Sequence, residues 1–221
     1  MIKFALKRQI MMKRILLCLI GFMMLQAVPA KRMRDYFADM PDSILYVMTR
    51  NNRLDCIDFI ENNMQARVRN RFDAFSELKT MTDDYLDLKL TASCEVEMKL
   101  FPIKDSLNYI CMVKTVEGLE KESSVTLYTS EWKEVARSKW IDMPRYTDFW
   151  VVGDSVMADS IPDLQHQQDL HLISATLSPD DYSLTFNLSP VAVDEEVSKR
   201  IKPLLRDVIY AWNGKKCERV K

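Results

Sequence analysis

Residues 86–100 read LDLKLTASCEVEMKL, and this stretch decides how the rest of the chain can fold. Its even-numbered positions are apolar, and its odd-numbered positions are polar or charged. Because successive side chains of a strand point to opposite faces, this period of two predicts a β-ribbon with one dry and one wet face. Strands are usually shorter than this ribbon, so we expect a bend or a bulge near Ser93.

The segments that follow continue the sheet as an antiparallel meander. A turn at residues 104–106 leads into an apolar strand at 109–116, and a second turn at Gly118 leads into a strand at 125–129.

Further along the chain, two strands at 170–177 and 182–188 are separated by Ser178-Pro179-Asp180-Asp181. Proline and aspartate suit the positions of a β-turn, so these strands predict a second hairpin.

Helical spacing of apolar residues appears on both sides of the strands. Near the N-terminus, Asn52 is suited to cap a helix whose apolar stripe contains Leu54, Ile57, Ile60 and Met64. Near the C-terminus, Pro203 interrupts a second stripe, and Gly214 suits its end. That stripe consists of Val197, Ile201, Leu204, Leu205, Val208, Ile209 and Trp212. We therefore predict an α+β fold: an antiparallel sheet, a helical N-terminal segment, and a C-terminal helix packed on the dry face.

The first thirty residues have the order of a cleavable signal peptide. Five basic residues precede an apolar run at 15–28, which is short for a membrane span. The run ends at Val28-Pro29-Ala30, whose small residues suit cleavage after Ala30. We therefore expect export to the periplasm or cell envelope and no transmembrane helix after cleavage; Met11 and Met12 offer a later start.

The remaining 191 residues suit one domain, or one domain with two lobes. Five of the 31 basic residues lie in the first thirty, which leaves 26 against 32 acids and a net charge of about −6. This balance disfavours nucleic acid as a partner, since that binding requires a basic surface. The basic run Arg67, Arg69 and Arg71 is interpreted as a solvated face.

The cysteines and histidines give no metal signature. Cys56, Cys94, Cys111 and Cys217 are far apart in the sequence, whereas zinc sites use closely spaced ligand pairs. They are either buried thiols or members of disulfides, for which three pairings are open. We expect no metal and no cofactor.

One motif resembles the nucleophile segment of the Gly-Asp-Ser esterases. Ser155 follows residues 151–154, and Asp163 and His166 have the spacing of a catalytic acid and base. The serine lies too late in a β-rich chain, and the histidine lies too close to it, so a strand followed by a turn is the favoured interpretation. A serine esterase is kept as a remote alternative, and no catalytic residue is assigned.

Two further residue sets are candidates for binding or modification. Trp132, Trp140 and Trp150 in the loops of residues 131–169 could stack on a carbohydrate or another small ligand. Asp-Ser-aliphatic triplets, which resemble an O-glycosylation acceptor of exported Bacteroidales proteins, contain Ser43, Ser106, Ser155 and Ser160. The alternative for these serines is that Asp-Ser simply favours turns.

Several short motifs together resemble an uncharacterised family of exported Bacteroidales proteins, domain of unknown function 3256. They are Met40-Pro41-Asp42-Ser43, residues 86–102, residues 110–116, Ser178-Pro179-Asp180-Asp181, Trp132-Lys133 and Tyr210-Ala211-Trp212. The resemblance implies a compartment and a host group, and it implies no activity.

The sequence thus predicts a non-enzymatic envelope protein whose partner is another envelope protein or a glycan. Binding of a carbohydrate or small ligand by the three tryptophans is the alternative.

Overall fold

The strands of this protein form two antiparallel sheets that pack against each other. The computed structural model describes residues 31–103, 107–151, 168–192 and 195–220, and residues 31–221 form one compact unit. The six-stranded sheet contains β1 (Ala66–Arg69), β2 (Phe75–Met81), β3 (Tyr85–Thr91), β4 (Cys94–Pro102), β5 (Asn108–Glu117) and β6 (Lys121–Tyr128), in that spatial order. The four-stranded sheet has the order β10 (Cys217–Arg219), β9 (Val208–Trp212), β8 (Ser183–Ala192) and β7 (Gln168–Leu177).

Helices are short in the described part of the chain. They are α1 (Met33–Asp39), α2 (Arg50–Glu61) and α3 (Glu195–Ile201), with 3₁₀ turns at Arg137–Lys139, Tyr146–Phe149 and Lys202–Leu204. No helix among the described residues has the length and apolar character needed to span a membrane. The predicted α+β class with antiparallel sheets is confirmed, whereas the predicted signal peptide lies outside the described residues.

The long ribbon predicted at residues 86–100 is a hairpin formed by β3 and β4, with its turn at residues 92–93. Leu88 pairs with Val96, and Leu86 pairs with Met98, so partners are both even-numbered. Because partners share parity, the even-numbered side chains occupy one face of both strands, and the alternation continues unbroken through the turn. The irregularity expected near Ser93 is therefore a chain reversal, with a register shift between Lys89 and Thr91.

The even-numbered face of the six-stranded sheet is covered by the N-terminal helices. Its buried side chains form one core with Phe37 of α1 and with Cys56 and Ile57 of α2. On the sheet, this core contains Ala66, Val68, Leu78, Leu86, Leu88, Leu90, Cys94, Val96, Met98, Leu100, Ile110 and Met112. The C-terminal helix was predicted to cover this face, and that part of the prediction is wrong.

The odd-numbered face was predicted to be wet, but from β4 to β6 it is covered by the second sheet. Cys111, Val113, Val125 and Leu127 pack in one core with side chains of the second sheet. The second sheet contributes Ala175, Leu177, Leu184, Phe186, Leu188, Val208, Tyr210, Trp212 and Cys217. Near β1 and β2 this face remains in water, as the exposed Arg67, Arg69 and Phe75 show.

The second hairpin is confirmed, whereas the C-terminal helix is shorter than its apolar stripe suggested. Leu177 pairs with Leu184 across the predicted turn. Helix α3 ends at Ile201, and the next 3₁₀ turn contains Pro203. Residues Val208–Trp212 then alternate between buried and exposed as a strand. Val208 and Trp212 fit both periods, whereas Ile209 fits only the helical one, and this short segment is a strand because it pairs with β8.

All four cysteines of residues 31–221 are buried free thiols. Cys56 and Cys94 belong to the core on the even-numbered face, and Cys111 and Cys217 belong to the core between the sheets. Burial raises the pKa of Cys56 to about 11 and that of Cys217 to about 12. Protonated thiols are poor nucleophiles, so these buried cysteines serve as small apolar core residues.

Arg53 of α2 is fully buried and fastens the N-terminal loop to the helix. Thr49 caps α2, and Asn52, predicted as the cap, instead completes the capping box from the third helical position. One turn later, the Arg53 guanidinium donates hydrogen bonds to the carbonyls of Phe37, Met40 and Met48. It also forms an ion pair with the carboxylate of Asp42 at 3.0 Å.

Replacing Arg53 by Met is expected to lower the free energy of unfolding by about 3–5 kcal/mol. The substitution leaves three carbonyls without their donor and Asp42 without its buried partner. Urea denaturation monitored by circular dichroism measures the change. The matched control is Arg50→Met, because Arg50 is exposed on the same helix and should change stability by no more than about 0.5 kcal/mol. Equal effects of the two substitutions would contradict this role.

Polar groups join the two sheets at three points. The buried Lys99 ammonium donates to the Pro179 carbonyl at 2.7 Å and lies 3.0 Å from the Asp84 carboxylate. The Glu97 carboxylate accepts hydrogen bonds from the Tyr85 hydroxyl at 2.8 Å and from the Leu177 amide at 3.2 Å. The Ser123 hydroxyl accepts from the Ala175 amide at 2.9 Å. The register of the sheets is thus fixed by directional bonds as well as by apolar packing.

Glu97 should make this protein less stable as pH rises through the range above its ordinary pKa of 4.5. Burial raises the pKa of Glu97, despite the hydrogen bond from Tyr85. The native state therefore binds a proton that the unfolded chain has released, and ionisation costs stability. We expect the unfolding free energy of the wild type, minus that of Glu97→Gln, to fall as pH rises from about 4 to 8.

The control for this pH series is Glu218→Gln. The exposed Glu218 accepts a hydrogen bond from Lys216, which lowers the pKa of the Glu218 carboxyl. The unfolding free energy of the wild type, minus that of Glu218→Gln, should therefore rise with pH. A flat profile for Glu97→Gln in urea titrations would show that burial does not perturb Glu97.

Candidate binding surface

The three tryptophans predicted to form a ligand site do not share a cleft. Trp140 lies in the core between the sheets, and Trp150 packs against Ile201 and Leu204; they are only 2% and 1% exposed. Trp132 is half-buried and packs against the other core, 5.6 Å from the ring of Tyr128. A sugar needs an open aromatic face for stacking, so the prediction lacks the cleft on which it depended.

Most of the other sequence candidates lie outside the described residues. Ser43 is exposed in a turn, whereas Ser106, Ser155 and Ser160 lie outside the described residues. The esterase candidates Ser155, Asp163 and His166 lie outside them as well. His171 stacks on the ring of Tyr146 at 3.9 Å.

Two observations bear on whether the described residues could hold a metal ion or a small molecule. No group of three or more His, Cys, Asp or Glu side chains within them is arranged to hold a metal. A groove of about 800 Å³ runs along β8 and α3 and is lined by a mixture of polar or charged and apolar side chains. Its Lys199 is paired with Glu195 and Glu196, and the groove's lining contains no histidine or cysteine.

Large aromatic side chains in water mark a different place on the molecule. Tyr46 is 63% exposed, Phe72 is 64% exposed and Phe75 is 48% exposed. Phe72 and Phe75 belong to the hairpin of β1 and β2, and Tyr46 belongs to the loop before α2. The Tyr46 and Phe72 rings lie 6.3 Å apart, and the hairpin and the loop are joined by a hydrogen bond from the Arg71 amide to the Val47 carbonyl.

The turn of this hairpin is built by Asn70, which is nearly fully buried. The Asn70 side chain donates to the Ser76 hydroxyl at 3.1 Å and accepts from the Phe72 amide at 3.0 Å. Asp73 adopts a φ of +59°, a conformation that aspartate tolerates better than most residues. Phe72 is thus held at the turn by a rigid frame rather than by burial of its ring.

Arginine side chains surround these rings. The guanidinium carbon of Arg67 lies 4.1 Å from the centroid of the Phe75 ring, and that of Arg71 lies 5.0 Å from the Tyr46 ring. We call the set of Tyr46, Arg67, Arg69, Arg71, Phe72 and Phe75 the hairpin-end surface. Stacking of guanidinium on aromatic rings orders both partners while leaving the arginine N–H groups able to donate.

Asp42 connects the hairpin-end surface to the core. Its carboxylate binds the buried Arg53 and, through the other oxygen, Arg71 at 2.6 Å. The hydrogen bond from Arg53 holds the pKa of Asp42 below its ordinary value, so the carboxylate is charged at neutral pH. One carboxylate between two arginines leaves a net positive charge at this end of the hairpin.

The sequence predicted the solvated arginines of this surface but not its aromatic side chains. Arg67, Arg69 and Arg71 are exposed, as expected of a solvated face. The one sequence feature that sets Phe72 and Phe75 apart is that both lie beside a basic run and outside the strongly alternating stretch. Tyr46 lies 26 positions from Phe72 in the sequence, and only the folded chain brings them together.

Comparisons with other proteins bear on the fold and the family. A solved structure titled "Structure of a domain of an uncharacterized protein from Porphyromonas gingivalis W83" is similar, with a TM-score of 0.69 at 20% identity. The match covers 85% of this chain and 98% of that one, and it supports the fold alone. The comparison with curated proteins gives no match.

The family comparison confirms the resemblance that the short motifs indicated. The model described as "Protein of unknown function (DUF3256)" matches residues 25–217. The similar solved structure comes from a Bacteroidales species, the group that the resemblance implied. By this match over nearly its whole length, the chain belongs to the DUF3256 family of proteins of unknown function.

Proposed function

We propose that this chain is an exported, non-enzymatic protein of the periplasm or cell envelope that binds another protein through the hairpin-end surface. The observation that carries the proposal is the exposure of Tyr46, Phe72 and Phe75 on one rigid hairpin and its neighbouring loop. Aromatic and arginine side chains are the residues most enriched at the energetic centres of protein interfaces. Large exposed apolar groups in a cluster, unlike single ones, indicate an interaction site.

Export is the second part of the proposal, and it rests on the first thirty residues. Their basic start, apolar run and small residues before position 31 suit secretion and cleavage. The four buried free thiols are compatible with an oxidising compartment, because burial shields them from oxidants.

The export proposal predicts that the chain recovered from a Bacteroidales host begins at Lys31. Mass spectrometry of the periplasmic and membrane fractions identifies the N-terminus. Replacing Ala30 by Arg should block cleavage, because signal peptidase requires a small residue there, whereas Lys31→Arg should leave cleavage unchanged. An uncleaved wild-type chain confined to the cytoplasm would contradict export.

The binding proposal predicts that Tyr46→Ser combined with Phe72→Ser abolishes partner binding without unfolding the chain. Truncating two interface anchors should weaken binding by about 1,000-fold, since each such anchor contributes about 2 kcal/mol and the two together contribute about 4 kcal/mol. Both side chains are exposed, so stability should change little. The partner is obtained by placing a photo-cross-linking phenylalanine analogue at position 46 or 72 in the native host, and its affinity for each variant is then measured.

The matched control is Leu119, which is 77% exposed on the turn between β5 and β6. Cross-linkers at position 119 should not capture the partner, and Leu119→Ser should bind it normally. If position 119 captures the same protein with the same yield, or if Leu119→Ser weakens binding equally, the hairpin-end surface is not the binding site.

A further inference from the structure

We propose that the hairpin-end surface recognises an acidic polypeptide segment, in which Asp or Glu side chains alternate with or flank apolar ones. The inference rests on the proposed protein-binding function and adds the chemistry of the partner. It follows from the state of the three arginines, from the charge of the rest of the chain, and from the backbone hydrogen bonds at this edge of the sheet.

Arg67 is a cation without a counter-ion within the described part of the chain. Its guanidinium rests on the Phe75 ring at 4.1 Å, and its cross-strand neighbour Glu77 accepts a hydrogen bond from Gln65 at 3.1 Å instead. Stacking covers one face of the guanidinium and leaves the N–H groups at its edge free for hydrogen bonding. A carboxylate is the group that such a fork binds best, through two parallel N–H···O bonds.

Arg69 offers a second contact for a partner carboxylate. Its ion pair with Asp73 spans 3.6 Å, and both side chains are more than half exposed. Exposed pairs of this kind contribute little free energy, so a partner carboxylate can replace Asp73 at low cost.

Arg71 differs, because Asp42 holds it at 2.6 Å and thereby positions it over Tyr46. Arg67 and Arg69 are therefore the contacts, and Arg71 is a positioning residue.

The charge of the whole chain makes this surface selective. Residues 31–221 carry a net charge of about −6, yet the hairpin concentrates three arginines within five positions. Charges interact over roughly 8 Å at physiological ionic strength. An acidic segment is thus repelled from the molecule in general and attracted at the hairpin-end surface, which fixes where and in which orientation it docks.

The same observations disfavour a second copy of this chain as the occupant. A symmetric dimer through this surface would oppose Arg67, Arg69 and Arg71 to their own equivalents, which costs free energy unless anions intervene. The edge of β1 is also partly occupied: the Arg69 carbonyl accepts from Asn52 at 3.1 Å, and the Arg71 amide donates to Val47 at 3.1 Å. The partner therefore binds through side chains rather than as an added strand.

The test measures binding of labelled peptides to the purified processed chain by fluorescence anisotropy. The probe is a fluorescein-labelled peptide of repeating Glu-Glu-Leu units, compared with matched Gln-Gln-Leu and Lys-Lys-Leu peptides and with heparin as a sulfated polysaccharide. We expect the Glu peptide to bind most tightly and to weaken as NaCl rises. The double variant Arg67→Gln, Arg69→Gln should lose about tenfold in affinity.

The control variant is Arg137→Gln, which removes an exposed arginine from the 3₁₀ turn at Arg137–Lys139 and should leave the affinity unchanged. Equal binding of the three peptides, or an equal loss in Arg137→Gln, overturns the inference. Binding of heparin that depends on Arg67 and Arg69, with no binding of the Glu peptide, overturns it in favour of an anionic glycan.

The failure of this inference is distinguishable from the failure of the proposed function. Suppose that cross-linkers at positions 46 and 72 capture a protein whose affinity changes neither with salt nor in the Arg67→Gln, Arg69→Gln variant. That result would support the proposed binding function and contradict the acidic partner. Capture of a protein whose binding segment is acidic, with loss of affinity in the same variant, supports both.

Discussion

The six-stranded sheet must bury both of its faces over β4 to β6, and the rest of the structure follows from this constraint. The even-numbered face is continuous and apolar from Ala66 to Met112, so it requires a cover along nearly its whole width. Two short helices supply that cover. The odd-numbered face is apolar only towards β5 and β6, where Cys111, Val113, Val125 and Leu127 lie, and the second sheet covers that part. Where the odd-numbered face turns polar, the cover stops, and the uncovered corner carries the hairpin-end surface.

Arg53 and Lys99 are buried where these layers meet, Glu97 is partly buried, and each of the three is supported by directional contacts. Arg53 satisfies the carbonyls at the end of α1 and in the loop that follows, which have no partners of their own in a helix ladder. Lys99 reaches from β4 to the turn of the second hairpin, and its ammonium is 5.5 Å from the Tyr182 ring. Glu97 meets the backbone of β7. Such groups contribute less to net stability than to the choice of one arrangement, because a shift of either layer leaves a charge unpaired.

The sequence predicted the alternation of residues along the strands well, but it did not predict which layer covers each face of the sheet. Alternation at residues 86–100 correctly separated the two faces, because paired residues of β3 and β4 share parity. It could not reveal the turn at 92–93, since the parity of the pattern is preserved across it. It also could not show which layer covers which face, because Val113 and Leu127 are ordinary apolar strand residues whether a helix or a sheet packs on them. At the C-terminus, Val208 and Trp212 fit two periods, and strand pairing with β8 decided between them.

The candidate site was hidden from the sequence for a related reason. Tryptophans often stack on ligands, but Trp140 is buried in the core between the sheets, and Trp150 is buried against Ile201 and Leu204. Phenylalanine is an ordinary core residue, so the position of Phe72 and Phe75 beside a basic run was a weak signal of their exposure. Their exposure follows from the layer structure: at the end of the β1–β2 hairpin neither the helices nor the second sheet extends far enough to cover a ring. Instead, arginines of the same hairpin stack on the Phe75 and Tyr46 rings, cover part of their apolar surface and provide positive charge. The hairpin-end surface is aromatic, basic and rigid, although the chain as a whole is acidic. Its exposed rings belong to neither core, so folding does not account for them. This is the physical argument for a binding partner.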